Sequence, residues 1–258
     1  PNTLDLIDDD GNIRYDRLSA FSAADYAFLL SYGRKTPIDN LFLGGNVKIV
    51  HRQAGSFAHA WGFGIDLAAR YNLDKWQFGA NLRDITSTFN AWRFNQDLLE
   101  ESFTATGNIV PENSVELTLP SLIVGGARTF DIGKSFTALA ELDMLCTFDG
   151  KRNVLLKSDF LSVDPKIGAE FGYKGIVFLR AGAGNFQQIP QTDGSDAFNL
   201  QPNIGLGIHL RGLSIDYALT DLGDVSVAMY SHVFSVKYRF DVTTAAEKQT
   251  PMQQNQEQ

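Results

Sequence analysis

The sequence predicts an all-β protein, and three observations predict it. Large and small, or apolar and polar, residues alternate with a period of two along most of the 258 residues. No stretch carries a convincing apolar face at the helical period. Tight turn signals such as NLDK, DIGKS, YKG and LRG alternate with long polar connections, the pattern of a series of hairpins.

The character of the alternation narrows the class. In FAHAWGFGIDLAARYN, residues 57 to 72, Phe57, Trp61, Phe63, Ile65, Leu67 and Tyr71 share one face. Ala58, Ala60, Gly62, Gly64, Asp66, Ala68 and Arg70 fall between them. A sandwich strand also alternates, but its polar face meets bulk water and has no reason to be small. In a transmembrane antiparallel β-barrel of the outer-membrane type the large face meets lipid and the small polar face lines the interior. That is the predicted fold.

Each element follows in order. DYAFLLSYGRK sets Tyr26, Phe28, Leu30 and Tyr32 on one face, and LFLGGNVKIV sets Leu41, Leu43, Val47 and Ile49 against Asn46 and Lys48. After the 57–72 strand, WQFGANLR opposes Trp76, Phe78, Ala80 and Leu82 to Gln77, Gly79, Asn81 and Arg83. SLIVGGARTF is out of phase at Leu122, Ile123 and Val124 after Pro120, which predicts a bulge there. FTALAELDM, KIGAEFGY, VFLRAGAGN and NIGLGIHL repeat the alternation, and YSHVFSVKYRF closes it with Tyr230, Phe234, Val236, Tyr238 and Phe240 on one face. The total is about eleven strands.

Bacterial single-chain barrels have even strand numbers, so about eleven visible strands predict fourteen in the complete protein. On this reading residues 1–20 are an extracellular loop segment and 21–240 the strands with long extracellular loops, notably 85–114, 147–163 and 186–199. The Gln-rich stretch 241–258 is a disordered periplasmic tail and a candidate contact for a periplasmic partner.

Composition excludes several function classes. The net charge of −8 and pI near 5.0 leave no concentration of Lys and Arg for a nucleic acid. One cysteine, Cys146, permits neither an internal disulfide nor a usual thiolate metal site. No run of about 18 apolar residues forms a membrane-spanning helix, a test that a barrel passes unnoticed. The start, PNTLDLIDDDG, lacks the basic and apolar regions of a signal peptide.

The charged residues on the small face are the candidate lumen lining: Lys48, Asp66, Arg70, Arg83, Glu141, Asp143, Lys166, Glu170, Arg180, Asp216, Lys237 and Arg239, with Asp25 beside them. Both signs are present in near balance, which favours ion pairs across the interior over a charge-selective channel. The candidate partner-binding residues are Phe89, Trp92, Phe94 and Phe103, aromatics of the long 85–114 loop.

No catalytic residue and no metal or cofactor site is expected. IDDDGN fails the EF-hand spacing, because the first and twelfth ligands would be Leu6 and Arg17. His51, His59, His209 and His232 form no HxH or HExxH pair, and adjacent Ser231 and His232 point to opposite faces. The glycines of RAGAGNF and GLGIHLRG alternate within strands and open no helix, so they are not a phosphate loop.

With these strands in place, the chain resembles the PorV/PorQ family of Bacteroidetes outer-membrane proteins, a branch of the FadL-like fourteen-stranded barrels. The matching residues are Gly44, Gly45, Val47 and Lys48, then Gly64, Asp66, Leu67 and Tyr71, and the continuation through Leu82 and Arg83. The likeness covers most of 20–240. It implies an outer-membrane role in type IX protein secretion, through association with a very large translocon barrel and with secreted proteins that carry a C-terminal signal domain. The closing strand resembles the signal read by the barrel-assembly machinery, with Tyr238 and Phe240 as its aromatics. Two further functions stay open: a FadL-like transporter of hydrophobic small molecules, and a structural scaffold barrel.

Overall fold

The computed structural model describes residues 22–105, 113–190, 196–220 and 230–240. The expected loop segment 1–20 and the tail 241–258 lie outside the described residues, as does the acidic IDDDGN stretch. The elements are β1 (Ala23–Lys35), β2 (Leu41–Ala54), β3 (Ala58–Leu73), β4 (Trp76–Arg83), β5 (Thr88–Phe94), α1 (Gln96–Ala105), β6 (Asn113–Thr118), β7 (Ser121–Ile132), β8 (Phe136–Thr147), β9 (Leu156–Lys157), β10 (Ser162–Tyr173), β11 (Val177–Pro190), β12 (Asp196–Leu210), β13 (Leu213–Thr220) and β14 (Ser231–Tyr238).

Among the described residues the chain is all-β apart from α1, and the fourteen strands belong to one antiparallel sheet. Eleven of them lie in one path, β1-β2-β3-β4-β7-β8-β10-β11-β12-β13-β14, with β1 and β14 at its open ends. Ten of these are segments that the alternation names, and the eleventh is β13, which carries the predicted lining residue Asp216. Of the other three, β5 and β9 come from the expected loops 85–114 and 147–163 and β6 starts at the end of the first; none is one of the additional strands expected of a complete barrel.

Tight turns link consecutive strands where the sequence signals them. Between β12 and β13 the loop is Arg211-Gly212, with φ of 47° and 87°. Two central residues of positive φ match the right-handed strand twist, and glycine occupies the second without strain.

The expected loop 85–114 requires a correction. Thr88–Phe94 and Asn113–Thr118 pair as an antiparallel hairpin, and Gln96–Ala105 is a helix that apolar periodicity did not reveal. The helix sequence QDLLEESFTA is rich in good helix formers but lacks a strong apolar stripe. Strands also enter the expected loops 147–163 and 186–199: β9 pairs with the start of β10, β11 runs to Pro190, and β12 begins at Asp196.

Register shows how β4 and β5 join. Leu82 faces Leu67 on β3, whereas Phe89 faces Phe63. Seven residues of advance on one strand therefore meet four on its neighbour, and three are extruded between β4 and β5. On the other side, Arg83 faces Ser121 and Thr88 faces Thr118. The bulge expected at Leu122, Ile123 and Val124 is absent, because those residues pair regularly with Leu82, Asn81 and Ala80; the extruded residues lie on the neighbouring strand, at Asp84 to Ser87, with φ of 56° and 55° at those two residues.

The chain divides into two compact units. Unit 1 comprises Pro1–Thr129, Ala140–Ile167 and Gly184–Leu200; unit 2 comprises Phe130–Leu139, Gly168–Ala183 and Gln201–Gln258. In unit 1 Tyr26, His51 and Trp61 form a row across three strands, with ring centroids 6.3 and 4.4 Å apart. Ten residues further along β3, Tyr71 faces Leu41 on one side and Phe78 on the other, and Phe78 stacks on Trp76 at 6.0 Å. In unit 2 Phe136 lies 5.4 Å from Phe171 and 5.0 Å from Tyr173.

Burial is inverted relative to a water-soluble domain. The buried side chains include Lys48, Asp66, Asp84, Thr88, Asn90, Thr147 and Ser162, while the buried hydrophobic core among the described residues is Ala60. Large apolar residues are exposed throughout, up to 81% at Leu30 and 75% at Phe234. Soluble proteins sort these residue types the other way.

Candidate functional site

The polar face gathers its charges into clusters, each built by the strand register. In unit 1 Lys48 lies opposite Gly64, and Asn46 opposite Asp66. Lys48 Nζ donates to Asp66 Oδ1 at 2.9 Å and reaches Asp84 Oδ1 at 2.5 Å. The Asp84 backbone N–H donates to Asp66 Oδ1 at 2.8 Å, and Thr88 Oγ1 donates to the Asp84 carboxylate. Two carboxylates, one ammonium and one hydroxyl therefore fasten the bulge to β2 and β3.

Gly64 answers why the small face is small. A methyl group there would collide with Thr88 Oγ1 and sit 2.7 Å from Lys48 Cε. The absent side chain is the space in which the lysine folds across the strand. Asn46 and Asn90 hold buried side-chain oxygens with no protein donor among the described residues, the condition under which ordered water is bound.

A second unit 1 cluster ties down the β5–β6 hairpin. Arg52 Nε donates to Asp25 Oδ1 at 3.1 Å, and Arg52 Nη1 donates to Glu116 Oε2 at 2.8 Å. Trp92 Nε1 donates to the same Glu116 oxygen at 3.0 Å, and the guanidinium lies 5.4 Å from the Trp92 ring centroid. The hairpin is latched through its polar face.

This latch separates the four aromatics predicted to bind a partner. Trp92 and Phe94 lie opposite Ala60 and Ala58, on the face that carries Asn90 and Glu116. Phe89 lies on the other face, 44% exposed, between Phe63 and Leu117. Phe103 belongs to α1, and its side chain lies outside the described residues. Of Phe89, Trp92 and Phe94, Phe89 alone lies on the apolar side, continuous with exposed Trp61, Phe63, Val115 and Leu117.

Unit 2 holds a third cluster. Arg180 Nε donates to Glu170 Oε2 at 2.6 Å, and Nη1 to Asp216 Oδ1 at 2.5 Å. His209 Nε2 lies 3.2 Å from the same Asp216 oxygen, and its ring centroid is 4.5 Å from that of Phe178. Gly207, opposite Asp216, leaves the room: a methyl group there would clash with the carboxylate and lie 2.9 Å from Arg180 Nη1.

The remaining predicted lining residues distribute as follows. Arg70, Glu141 and Asp143 border a unit 1 cavity of about 310 Å³ floored by Gly79, Gly125 and Ala127, and Arg70 Nε donates to Asn72 Oδ1 at 2.9 Å. Lys166 packs against Gly184, its Cγ 3.0 Å from where a Cβ would stand. Arg83 ends β4 beside the bulge, exposed. Lys237 and Arg239 border a unit 2 cavity near the β12–β13 turn. Tyr238 ends β14, and its ring meets that of Phe240 edge-on at 4.5 Å.

Strict alternation missed Asp84. It follows Arg83, so an uninterrupted strand would turn it to the apolar side; the positive φ of the bulge turns it inward, where it is 5% exposed. The pairing of Arg52 with Glu116 has no sequence signal, because Glu116 lies between the expected loop 85–114 and the strand that starts at Ser121 and belongs to neither. No local signal pairs residues 64 positions apart.

Outside the long strands, the 147–161 connection is closed by its own bonds. Ser162 is buried, its hydroxyl donating to the Gly150 carbonyl at 3.0 Å and accepting from the Arg152 N–H at 3.0 Å. Arg152 Nε donates to both oxygens of Asp149 at 2.8 and 3.1 Å. That hydrogen bonding holds the Asp149 carboxyl below its ordinary value and raises the Arg152 guanidinium.

Among the described residues no cluster of three or more His, Cys, Asp or Glu is arranged to hold a metal ion. No protein-family model matches the chain, and comparison with curated proteins yields no matching relative.

Proposed function

We propose that the chain is a bacterial outer-membrane β-barrel protein that acts in a type IX-like secretion and surface-attachment pathway by binding a translocon barrel and secreted cargo. The observation that carries the membrane assignment is the inverted burial: charged side chains are enclosed while Leu30, Tyr32, Val236 and Phe234 are exposed. Its dimensions suit a bilayer. From Trp61 to Tyr71 is ten residues, about 33 Å of extended strand, which at barrel tilts of 35–45° projects to about 23–27 Å. That is the height of an outer-membrane apolar band, with aromatic rows where the two interfaces would lie.

The secretion role rests on the resemblance carried by Gly44 to Lys48, Gly64 to Tyr71, and Leu82 with Arg83. The hairpin β5–β6 supports it. It rises past the Tyr26-His51-Trp61 row to Phe94, opposite Ala58, is latched by Arg52 and carries Val115 level with that row, while Phe89 lies two residues inside it, opposite Phe63. Transport of a hydrophobic ligand fits less well, because a fatty chain in the 310 Å³ cavity would desolvate Arg70, Glu141 and Asp143.

The test is affinity purification of the full-length native protein from its own outer membrane in mild detergent, with mass spectrometry of proteins and lipids. Co-purification of a giant barrel, or of secreted proteins sharing a C-terminal domain, is expected. Recovery of the protein alone with a stoichiometric fatty acid would overturn the secretion reading. Recovery in the soluble fraction would overturn the membrane assignment.

A further inference from the structure

In unit 2, the turn between β12 and β13 and the end of β14 enclose a cavity of about 280 Å³. Its lining is Gly175, His209, Leu210, Arg211, Gly212, Leu213, Ser214, Lys237 and Arg239. Two arginines, a lysine and a histidine border it, and among the described residues no carboxylate does. In a chain of net charge −8 this is a local reversal of sign.

The register explains how the cations meet. Ser214 faces Lys237 and His209 faces Ser214, so the three share the polar side of β12, β13 and β14. Arg239 lies two residues beyond Lys237, and its backbone N–H donates to the Gly212 carbonyl at 2.8 Å, which draws it over the turn. Side chains two apart on one strand stand about 7 Å apart on one face. Asp216, two residues along β13 from Ser214, already accepts from Arg180 and His209.

Like charges so placed repel one another unless an anion lies between them. We propose that this cavity binds the phosphate group of a phosphate-bearing ligand. A tetrahedral anion with three or four oxygens can accept from two guanidinium groups, an ammonium and the Ser214 hydroxyl together, whereas a single carboxylate offers two oxygens to the same four donors. The site uses only unit 2 residues and does not depend on the secretion role. Because it opens on the polar side of the strands, the phosphate can come from a soluble phosphoester or from a lipid headgroup at the strand ends.

The test uses the full chain in detergent micelles at low ionic strength. Glycerol 3-phosphate is titrated by calorimetry in one arm and short-chain phosphatidylglycerol in the other, each repeated with the double variant Lys237→Gln, Arg239→Gln. Saturable binding in at least one arm is expected, weakened about tenfold or more by the double variant and by raised salt. Binding in the first arm alone identifies a soluble phosphoester, and in the second alone a headgroup. Absence of saturable binding by the unmodified protein in both arms overturns the proposal. So does unchanged affinity in the double variant. Lys174→Gln, at the neighbouring β10–β11 turn and outside the cavity lining, controls for loss of general positive charge and should bind as the unmodified protein does.

Discussion

Replacement of Lys48 by methionine keeps the length of the side chain and removes the cation that two carboxylates share. Lys48 Nζ stands 2.9 Å from Asp66 and 2.5 Å from Asp84, and the three side chains are 11%, 10% and 7% exposed. At an effective dielectric constant of about 20, each contact corresponds to about 6 kcal/mol of Coulomb attraction. Removing each ion from water costs several kcal/mol, so the intact cluster is close to neutral for stability. Without the lysine the desolvation remains and the attraction is lost, while the two carboxylates repel each other.

Lys48→Met should therefore destabilise the fold by about 3–5 kcal/mol. The assay is denaturant unfolding of the protein reconstituted in lipid vesicles, followed by tryptophan fluorescence, with the midpoint compared at constant slope. The triple change Lys48→Met, Asp66→Asn, Asp84→Asn removes every charge and should recover at least half of the loss. A loss below about 1 kcal/mol for the single change would mean that the cluster is solvated. A triple variant no better than the single one would mean that shape, not charge, sets the cost.

Three other outcomes are expected. Gly64→Ala should cost about 1–3 kcal/mol in the same unfolding assay, because the added methyl meets Thr88 and Lys48; Gly79→Ala, with nothing within 4 Å of the new Cβ, should stay within about 0.5 kcal/mol of the parent. Trp92→Ala should expose the β5–β6 hairpin to protease by loosening its hold on Glu116 and Arg52, whereas Phe89→Ala should leave the hairpin resistant and weaken partner recovery. Because Asp149 titrates below its ordinary value of 3.8 in the folded loop, its bond to Arg152 stabilises the loop above that pH. The contribution is lost as pH falls through the lowered folded value, so hydrogen-exchange protection across 147–161, corrected for the intrinsic rate, should fall in the parent as pH drops below the ordinary carboxylate range, with no such step in Asp149→Asn.

The sequence by itself determined most of the main path. Alternation is local, since neighbouring side chains on a strand must point to opposite faces, and it marked ten of the eleven strands of that path, all but β13, without any tertiary information. It also placed Lys48, Asp66, Glu170, Arg180 and Asp216 on one face. Their partners were set by register, a relation between strands that no single strand carries.

Only the tertiary structure decided where alternation breaks. The bulge at Asp84 to Ser87 shifts the register against β3 by three residues and turns Asp84 inward, completing the lysine cluster. It also decided which aromatics of the hairpin are free, because Trp92 is held by Arg52 and Glu116 from distant strands while Phe89 is not. Helix α1 escaped the sequence for a related reason: it has no strong apolar stripe to bury, so its helical period left little trace. Period-two patterning records which way each side chain points, and the geometry between strands sets what it meets there.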